Sequence, residues 1–447
     1  MSYETIVGIV VFLVMMLLIF MEVPVFVAML STAFVGFIVI THGNMALALV
    51  QFTTSIFEKG ASYNYAVLPL FMVVGALANE TGIAQDTFEA CRKWFGRARG
   101  GLLYTVVVSN AIFGACSGSP IAGAVVFGKL SLPELNRSGY NESNSLGCIA
   151  ASSGLASLIP PSTAILTFCL VAPSPIEYNG SSVTISVGKA LTGGIIPGIL
   201  TAIVLCIAIR IVAVFKKDYI PQSSGVKVPM SEKLKSLKLF IPIFLLFGLI
   251  IGGATLGWFS ATVGGAIGAV AVLIYALLKR VPIKRIAVNM WESATMEGSI
   301  FPIIVAGQIF SAFITRSRLP DYLSEFISSL NAPAPIIFLL VMLLYILLGC
   351  VMDIISVIII TVPVVFPVLC GLGYSPYAII IALCFMAAIA GLTPPIGMTV
   401  FATANALRVN ATDVFRGILP YFCCEIVMVI IIAFVPQIVT FLPELLA

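Results

Sequence analysis

Charge is what this chain has least of. Only 9% of its 447 residues are Asp, Glu, Lys or Arg, against about 25% in a typical soluble domain. That is too little to build a solvated exterior. Histidine occurs once, as His42 on an early loop, and there is no HExxH, so a zinc-hydrolase centre or an imidazole base within a membrane is excluded. No GxxxxGK[ST] phosphate loop is present, which removes nucleotide hydrolysis by this chain as an energy source. The ten cysteines contain no CxxC pair and fall mostly in apolar runs. They read as small buried hydrophobes, not as a disulfide framework or a zinc site. A net charge of +4 gives no reason to expect nucleic acid as a partner.

What the chain has instead is apolar sequence, 60% of all residues. Runs of roughly 20 residues, enough to cross a bilayer, recur near 5–40 (two helices split around Glu22 and Pro24), 65–80, 101–127, 144–172, 190–215, 239–278, 299–314, 333–370, 376–407 and 415–443. Several can hold two helices, which predicts an all-α polytopic membrane protein with ten to twelve crossings. The first run has no basic leader and no small-residue cleavage site, so it reads as a retained helix. Lys216, Lys217, Lys227, Lys233, Lys235 and Lys238 crowd one loop, and Lys279, Arg280, Lys284 and Arg285 another. The positive-inside rule turns both toward the cytoplasm.

Compared with itself, the chain repeats at an offset of 234. Cys116 matches Cys350, Pro133 matches Pro367, Gly139-Tyr140 matches Gly373-Tyr374, and Pro160-Pro161 matches Pro394-Pro395. Ten identities fall in the 46 ungapped positions from 116 to 161. The chain therefore divides into a first repeat, 1–215, a basic linker, 216–238, and a second repeat, 239–447. Helix interruptions at matching positions of two repeats point to the binding site of a secondary transporter. Each repeat also carries an amphipathic stretch: Phe88, Cys91 and Phe95 in the first, and Tyr322, Leu323, Phe326 and Leu330 in the second. A third such stretch puts Ile283, Ile286, Ala287, Met290, Trp291 and Ala294 on one face, suited to a helix lying in the membrane interface.

Polar and small residues interrupt the apolar runs at four places. "FGACSGSPIAGA" (113–124) and "LGCVMDIISVI" (348–358) sit between apolar flanks of about 12–16 residues, too short to span. They predict two re-entrant hairpins, near 101–137 and 333–370, with tips at Ser117-Gly118-Ser119 and Met352-Asp353. "SGLASLIPPSTAIL" (153–166) and "AIAGLTPPIGMTV" (388–400) predict two interrupted helices, near 144–172 and 376–407. Each break frees carbonyls that suit a cation and exposes amides that suit an anion. Asp353 has no basic residue within twenty positions, and a carboxylate at a helix centre in lipid costs about 2.5–3.5 kcal/mol. It needs a cation or strong donors; a bound metal ion or a carried proton would meet that need.

"GACSGSPIAGA…PELNRSGY…IPPS" together with "GCVMD…TVPVVFPVLCGLGYSP…AGLTPPIGMTVFATANAL" resembles the large membrane subunit of the TRAP (tripartite ATP-independent periplasmic) transporters, over nearly the whole chain. The resemblance implies an ion-transporter-superfamily fold, an inverted repeat with an elevator mechanism. It also implies sodium-coupled import of an organic acid across the bacterial inner membrane. The implied partners are a separate small four-helix membrane subunit and a periplasmic substrate-binding protein. Carried onto this sequence, a first sodium site falls at Ser117, Gly118 and Ser119 with Pro160 and Ser162. A second falls at Asp353 and Ser356 with Gly391, Thr393, Pro394 and Gly397. Substrate contacts fall at Ser119, Pro161, Ser162, Pro395 and Thr399. The chain departs from the family pattern at Pro120 and Gly123.

Other classes fit less well. An intramembrane enzyme lacks a catalytic cluster, and dead-end hairpins do not make a through-pore. A proton-coupled carrier or a sodium/proton exchanger of similar fold is the nearest alternative. It wants a second buried titratable group beside Asp353, whereas Glu22 and Glu425 read as helix-end residues that snorkel to the interface.

Overall fold

A computed structural model describes residues 2–60, 62–221, 228–329 and 333–446; Lys227 and Leu330 of the sequence analysis lie outside the described residues. The chain is mostly helical. One small sheet corrects the all-α reading: Ile176–Tyr178 pairs antiparallel with Ser181–Val183. The turn is Asn179-Gly180, both at positive φ, the residue pair that a two-residue hairpin favours.

Among the described residues seven helices are long and apolar enough to cross a membrane, or eight if the bent pair Tyr63–Glu80 and Ile83–Phe95 is one span. This corrects the expected ten to twelve. The remaining apolar runs are cut into helices of 10–17 residues, among them Gly101–Ser117, Ala334–Gly349, Pro376–Ala390 and Met398–Leu407. The cuts fall where sequence supplies caps and breakers. Ser119, Ser162 and Asp353 each begin a helix with the side chain accepting a backbone N–H of the first turn, the usual role of Ser and Asp at that position. The arms of the first helical hairpin are Gly101–Ser117 and Pro120–Arg137, and those of the second Ala334–Gly349 and Ile354–Gly371. At 16–18 residues they lie at or just above the top of the expected 12–16, and Ile354–Gly371 is long and apolar enough for a span by itself.

The amphipathic stretch that opens at Ile283 is not a separate interfacial helix. It runs on without a break as Ile283–Arg316, a single helix of 34 residues. Its buried face is Ile286, Ser293 and Glu297, while Ile283 and Trp291 are each 75% exposed. The apolar face read from the sequence is thus largely the outer face. Elsewhere Leu13, Phe215 and Trp258 also point outward, as in a protein whose surroundings are lipid or a partner helix.

At the centre lie the two interrupted helices. Pro376–Ala390 is buried along nearly its whole length, which suits a segment apolar on every side. Glu142–Ser153 is buried from Asn144 onward and packs along Ala411–Phe434. Gly147 and Gly417 meet there backbone to backbone, so that a Cβ on Gly147 would stand 2.1 Å from the Gly417 carbonyl carbon. Small residues let helices approach this closely.

Both ends of the first hairpin lie at the basic linker. Arg99, just before it, donates to the carbonyls of Lys217 and Ile220, and Asn141, just after it, donates its N–H to the Tyr219 carbonyl at 2.9 Å. The Lys279–Asp86 and Arg285–Glu80 ion pairs bring the second basic loop to the end of Tyr63–Glu80 and the start of Ile83–Phe95. The second hairpin is anchored elsewhere. Phe338 and Tyr374, at its two ends, pack on each other and on Phe434, and Tyr377 accepts from the Ser186 N–H beside the β-hairpin.

Candidate functional site

Each hairpin tip closes on the helix break of its own repeat. In the first repeat the turn falls at Gly118, whose φ of +58° is a left-handed conformation open to glycine. A Cβ there would lie 2.5 Å from the Pro161 carbonyl oxygen. Thr163, the first residue of Thr163–Val171, donates its hydroxyl to the Gly118 carbonyl at 2.9 Å and locks tip to break. Ser162 is fully buried; its Oγ donates to the Ser157 carbonyl at 2.8 Å and accepts the Ile165 N–H at 3.3 Å. Ser117 ends the first arm with a buried Oγ that has no partner among the described residues. Unpaired buried hydroxyls are uncommon, and each calls for an explanation. Here an oxygen donor is left over at a turn lined by carbonyls, the hard-ligand chemistry an alkali cation takes.

In the second repeat the tip also meets its break, two residues out of the register of the first. Gly397 donates its N–H to the Cys350 carbonyl at 3.2 Å, joining break to hairpin, and Thr399 donates to the Gly391 carbonyl at 3.1 Å. Thr393 Oγ1 donates to the Ala390 carbonyl at 2.6 Å. Asp353 begins Ile354–Gly371 and is half-buried. Its Oδ2 accepts the N–H groups of Ile355 at 3.0 Å and Ser356 at 3.1 Å, and its Oδ1 accepts the Ser356 hydroxyl. The strong donors that a carboxylate in this position needs are therefore supplied by its own helix, and Asp353 does not by itself require a metal. A carboxylate has about four acceptor positions, so capacity toward a cation is left.

The repeats are interleaved. Pro120–Arg137 of the first hairpin packs along Met398–Leu407 of the second break, and Ile354–Gly371 of the second hairpin packs along Thr163–Val171 of the first. Phe168 and Phe366 meet edge to face at that second contact. The two half-sites differ in exposure. Pro160, Pro161 and Ser162 are buried, whereas Pro394 and Pro395 are exposed, with Ser119 half-buried and Thr399 buried. Both Pro-Pro peptide bonds are cis.

The family model for the tripartite ATP-independent periplasmic transporter, DctM component, matches residues 12–438. The chain belongs to this family. A C4-dicarboxylate TRAP transporter large permease protein from Pseudomonas aeruginosa is 27% identical over 392 residues, 87% of this chain and 88% of that one. A sialic acid TRAP large permease from Vibrio cholerae is 25% identical, over 86% of this chain and 87% of its own. A 2,3-diketo-L-gulonate TRAP large permease from Escherichia coli is 24% identical, over 87% and 89%. Among solved structures the YdaH transporter of Alcanivorax borkumensis superposes with a TM-score of 0.61 at 14% identity, covering 88% of this chain and 90% of that one. The MtrF efflux pump of Neisseria gonorrhoeae gives 0.57 at 15%, covering 87% and 85%. Both are fold relatives and both are membrane transporters.

Within this TRAP permease fold the structure adds residues that the sequence reading passed over. Thr163 and Ser157 hold the first break, and both are hydroxyl residues next to a Pro-Pro pair, a signal that was present. Asn110 and Ser152 form a buried pair at 2.8 Å behind the first tip. Glu425 corrects the helix-end assignment: it lies inside Ala411–Phe434, is 0% exposed, and neither carboxylate oxygen has a partner among the described residues. It does not snorkel, because its helix face is turned to the interior. Buried carboxyls other than the half-buried Asp353 therefore exist, Glu425 and Glu297.

Proposed function

We propose that this permease is a sodium-coupled importer of an organic acid anion and that its two half-sites each bind one sodium ion. The reading is carried by the closure of each hairpin tip on its own helix break, with the orphan hydroxyl of Ser117 at the first. Ser117, Gly118, Ser119, Pro160 and Ser162 form the first site; Asp353, Ser356, Gly391, Thr393, Pro394 and Gly397 form the second. The two helical hairpins are re-entrant, the first from the cytoplasmic side and the second from the periplasmic side, which makes the repeats inverted. Sodium binding clamps tip to break, and the clamped tips present Ser119, Pro161, Ser162, Pro395 and Thr399 to the anion. Neither tip carries a basic side chain, so helix N-termini and the bound cations hold the carboxylate. The hairpins and interrupted helices then move together against the outer helices, in an elevator step that carries site and substrate across.

Three of the relatives are named for C4-dicarboxylate, sialic acid and diketogulonate, which supports a carboxylate as the common group. Delivery by a periplasmic binding protein, partnership with a small membrane subunit and residence in the bacterial inner membrane belong to the same reading. The test is uptake of labelled acids into proteoliposomes holding this chain, its small subunit and candidate binding proteins. Uptake that requires an inward sodium gradient supports the assignment. Uptake that ignores sodium and follows a proton gradient overturns it.

A further inference from the structure

Ala411–Phe434 runs parallel to Glu142–Ser153, and polar side chains follow one another along the seam between them, with no hydrogen bond joining Glu425 to the others among the described residues. It begins where Ser143 Oγ donates to the Asp413 carbonyl. One turn deeper, Tyr421 donates its hydroxyl to Asn144 Oδ1 at 3.1 Å, and the Asn144 Nδ2 is buried without a partner among the described residues. Cys148 comes next, one turn beyond Asn144 and set against both Tyr421 and Glu425. Glu425 closes the line, one turn beyond Tyr421. A Cβ built on Gly154, where Glu142–Ser153 gives way to the first break, would lie 3.5 Å from Glu425 Oε1 and 3.7 Å from Phe385. The ten residues from Asn144 to Gly154 rise about 15 Å, about half the hydrocarbon thickness of a bilayer. The other end of the line sits at the basic linker, through Asn141 and Tyr219.

Among the described residues nothing basic meets Glu425. From Glu142–Ser153 it is faced by Cys148, from its own helix by Cys424, with Tyr421 one turn before it, and from Pro376–Ala390 by the apolar Phe385. Ile195–Phe215 contributes Cys206, which stands behind Cys148; Arg210 of the same helix is exposed and acts on Tyr104 of the first hairpin, which in turn faces Tyr421. Met398–Leu407 has no ionisable side chain. An ionised carboxylate sealed from water with neither oxygen bonded is among the most expensive groups a protein can bury. Such groups inside membrane proteins mark ion and proton pathways.

We propose that Glu425 is a proton-binding site of the transport cycle. Its carboxylate takes up one proton to become the neutral acid and returns that proton through Cys148, Tyr421 and Asn144 toward the linker side. This rests on the transport reading above, since it is the movement of the first break that alternates the surroundings of Gly154 and Glu425. A proton then travels with sodium and the organic acid.

The experiment uses the complete complex in proteoliposomes with a pH dye in the lumen, together with infrared difference spectra of the purified complex before and after sodium and substrate. The expected result is lumen acidification when substrate is added outside, and a protonated-carboxyl band that changes on substrate binding. In Glu425→Gln both are lost; in Glu425→Asp, the variant to use should Gln fail to fold, the band shifts. Sodium-driven uptake with no acidification overturns the proposal and leaves sodium import standing. A band unchanged by Glu425→Gln, or by Glu425→Asp where Gln does not fold, overturns it as well. Acidification and a Glu425 band without sodium dependence support the proton site and overturn the sodium assignment instead.

Discussion

Asparagine caps a helix as well as aspartate does but carries no charge, so Asp353→Asn and Asp353→Ala separate what the wild-type carboxylate combines. Two backbone N–H groups end on Asp353 Oδ2. Removing the cap costs about 1 kcal/mol, which Asp353→Ala should show as lower thermal stability of the purified complex, while Asp353→Asn stays close to wild type. Both variants should need at least tenfold more sodium for half-maximal uptake. If Asp353→Asn keeps the wild-type sodium dependence, Asp353 is a cap and not a ligand. Gly118 supplies the matching case in the first repeat. An L-residue at its positive φ costs about 1–2 kcal/mol, and the new methyl would press on the Pro161 carbonyl from 2.5 Å. Gly118→Ala should therefore open the tip from its break and cut sodium-driven uptake by tenfold or more; uptake within twofold of wild type would mean that this closure is not part of transport.

Helix pairs are where this fold is least forgiving. Along the seam of Glu142–Ser153 with Ala411–Phe434, Gly147 and Gly417 leave no space for a side chain. Overpacking a tight core costs about 1–3 kcal/mol and occasionally more. Gly147→Val should fall at or above the top of that range and appear as a lower unfolding temperature with loss of folded protein, whereas the same change at the open Gly298 should leave the temperature near wild type. The seam also shows what a sequence carries and what it does not. Breaks are local: a Pro-Pro pair, a Ser or Asp cap and a Gly turn sit within a few residues of each other, and the offset that aligns the Pro-Pro pairs also aligns Ser119 with Asp353, the two hairpin caps. Which face of an apolar helix looks inward is not local. In lipid the outer face is as apolar as the inner, so periodicity found the apolar face of Ile283 and Trp291 but read it as a separate interfacial helix, where it is the outer face of a 34-residue helix with Trp291 75% exposed. The same blindness placed Glu425 at the surface. The packing of Ile354–Gly371 on Thr163–Val171 joins segments nearly two hundred positions apart, and nothing short-range encodes it.

At the scale of the whole molecule, the number of ions bound fixes how transport responds to voltage. One charge crossing 100 mV contributes about 2.3 kcal/mol, and a tenfold sodium gradient adds about 1.4 kcal/mol per ion. Two sodium ions entering together thus release about 7 kcal/mol. A monoanion carried with them gives back about 2.3, leaving about 5 kcal/mol and one net positive charge per cycle. A dianion gives back about 4.6, leaving about 2.8 kcal/mol and no net charge. The two-site arrangement therefore makes a prediction that depends on the substrate's charge alone. With the membrane potential clamped by a potassium ionophore at fixed sodium gradient, a monoanionic substrate should accumulate to a higher ratio as the interior is made negative. With sodium alone, as in Glu425→Gln, a dianionic one should not respond. Each proton bound at Glu425 would add one positive charge to both cases and give the dianion a voltage dependence that vanishes in Glu425→Gln. A voltage response for the dianion that survives that substitution would require a third sodium ion, which the two half-sites do not provide.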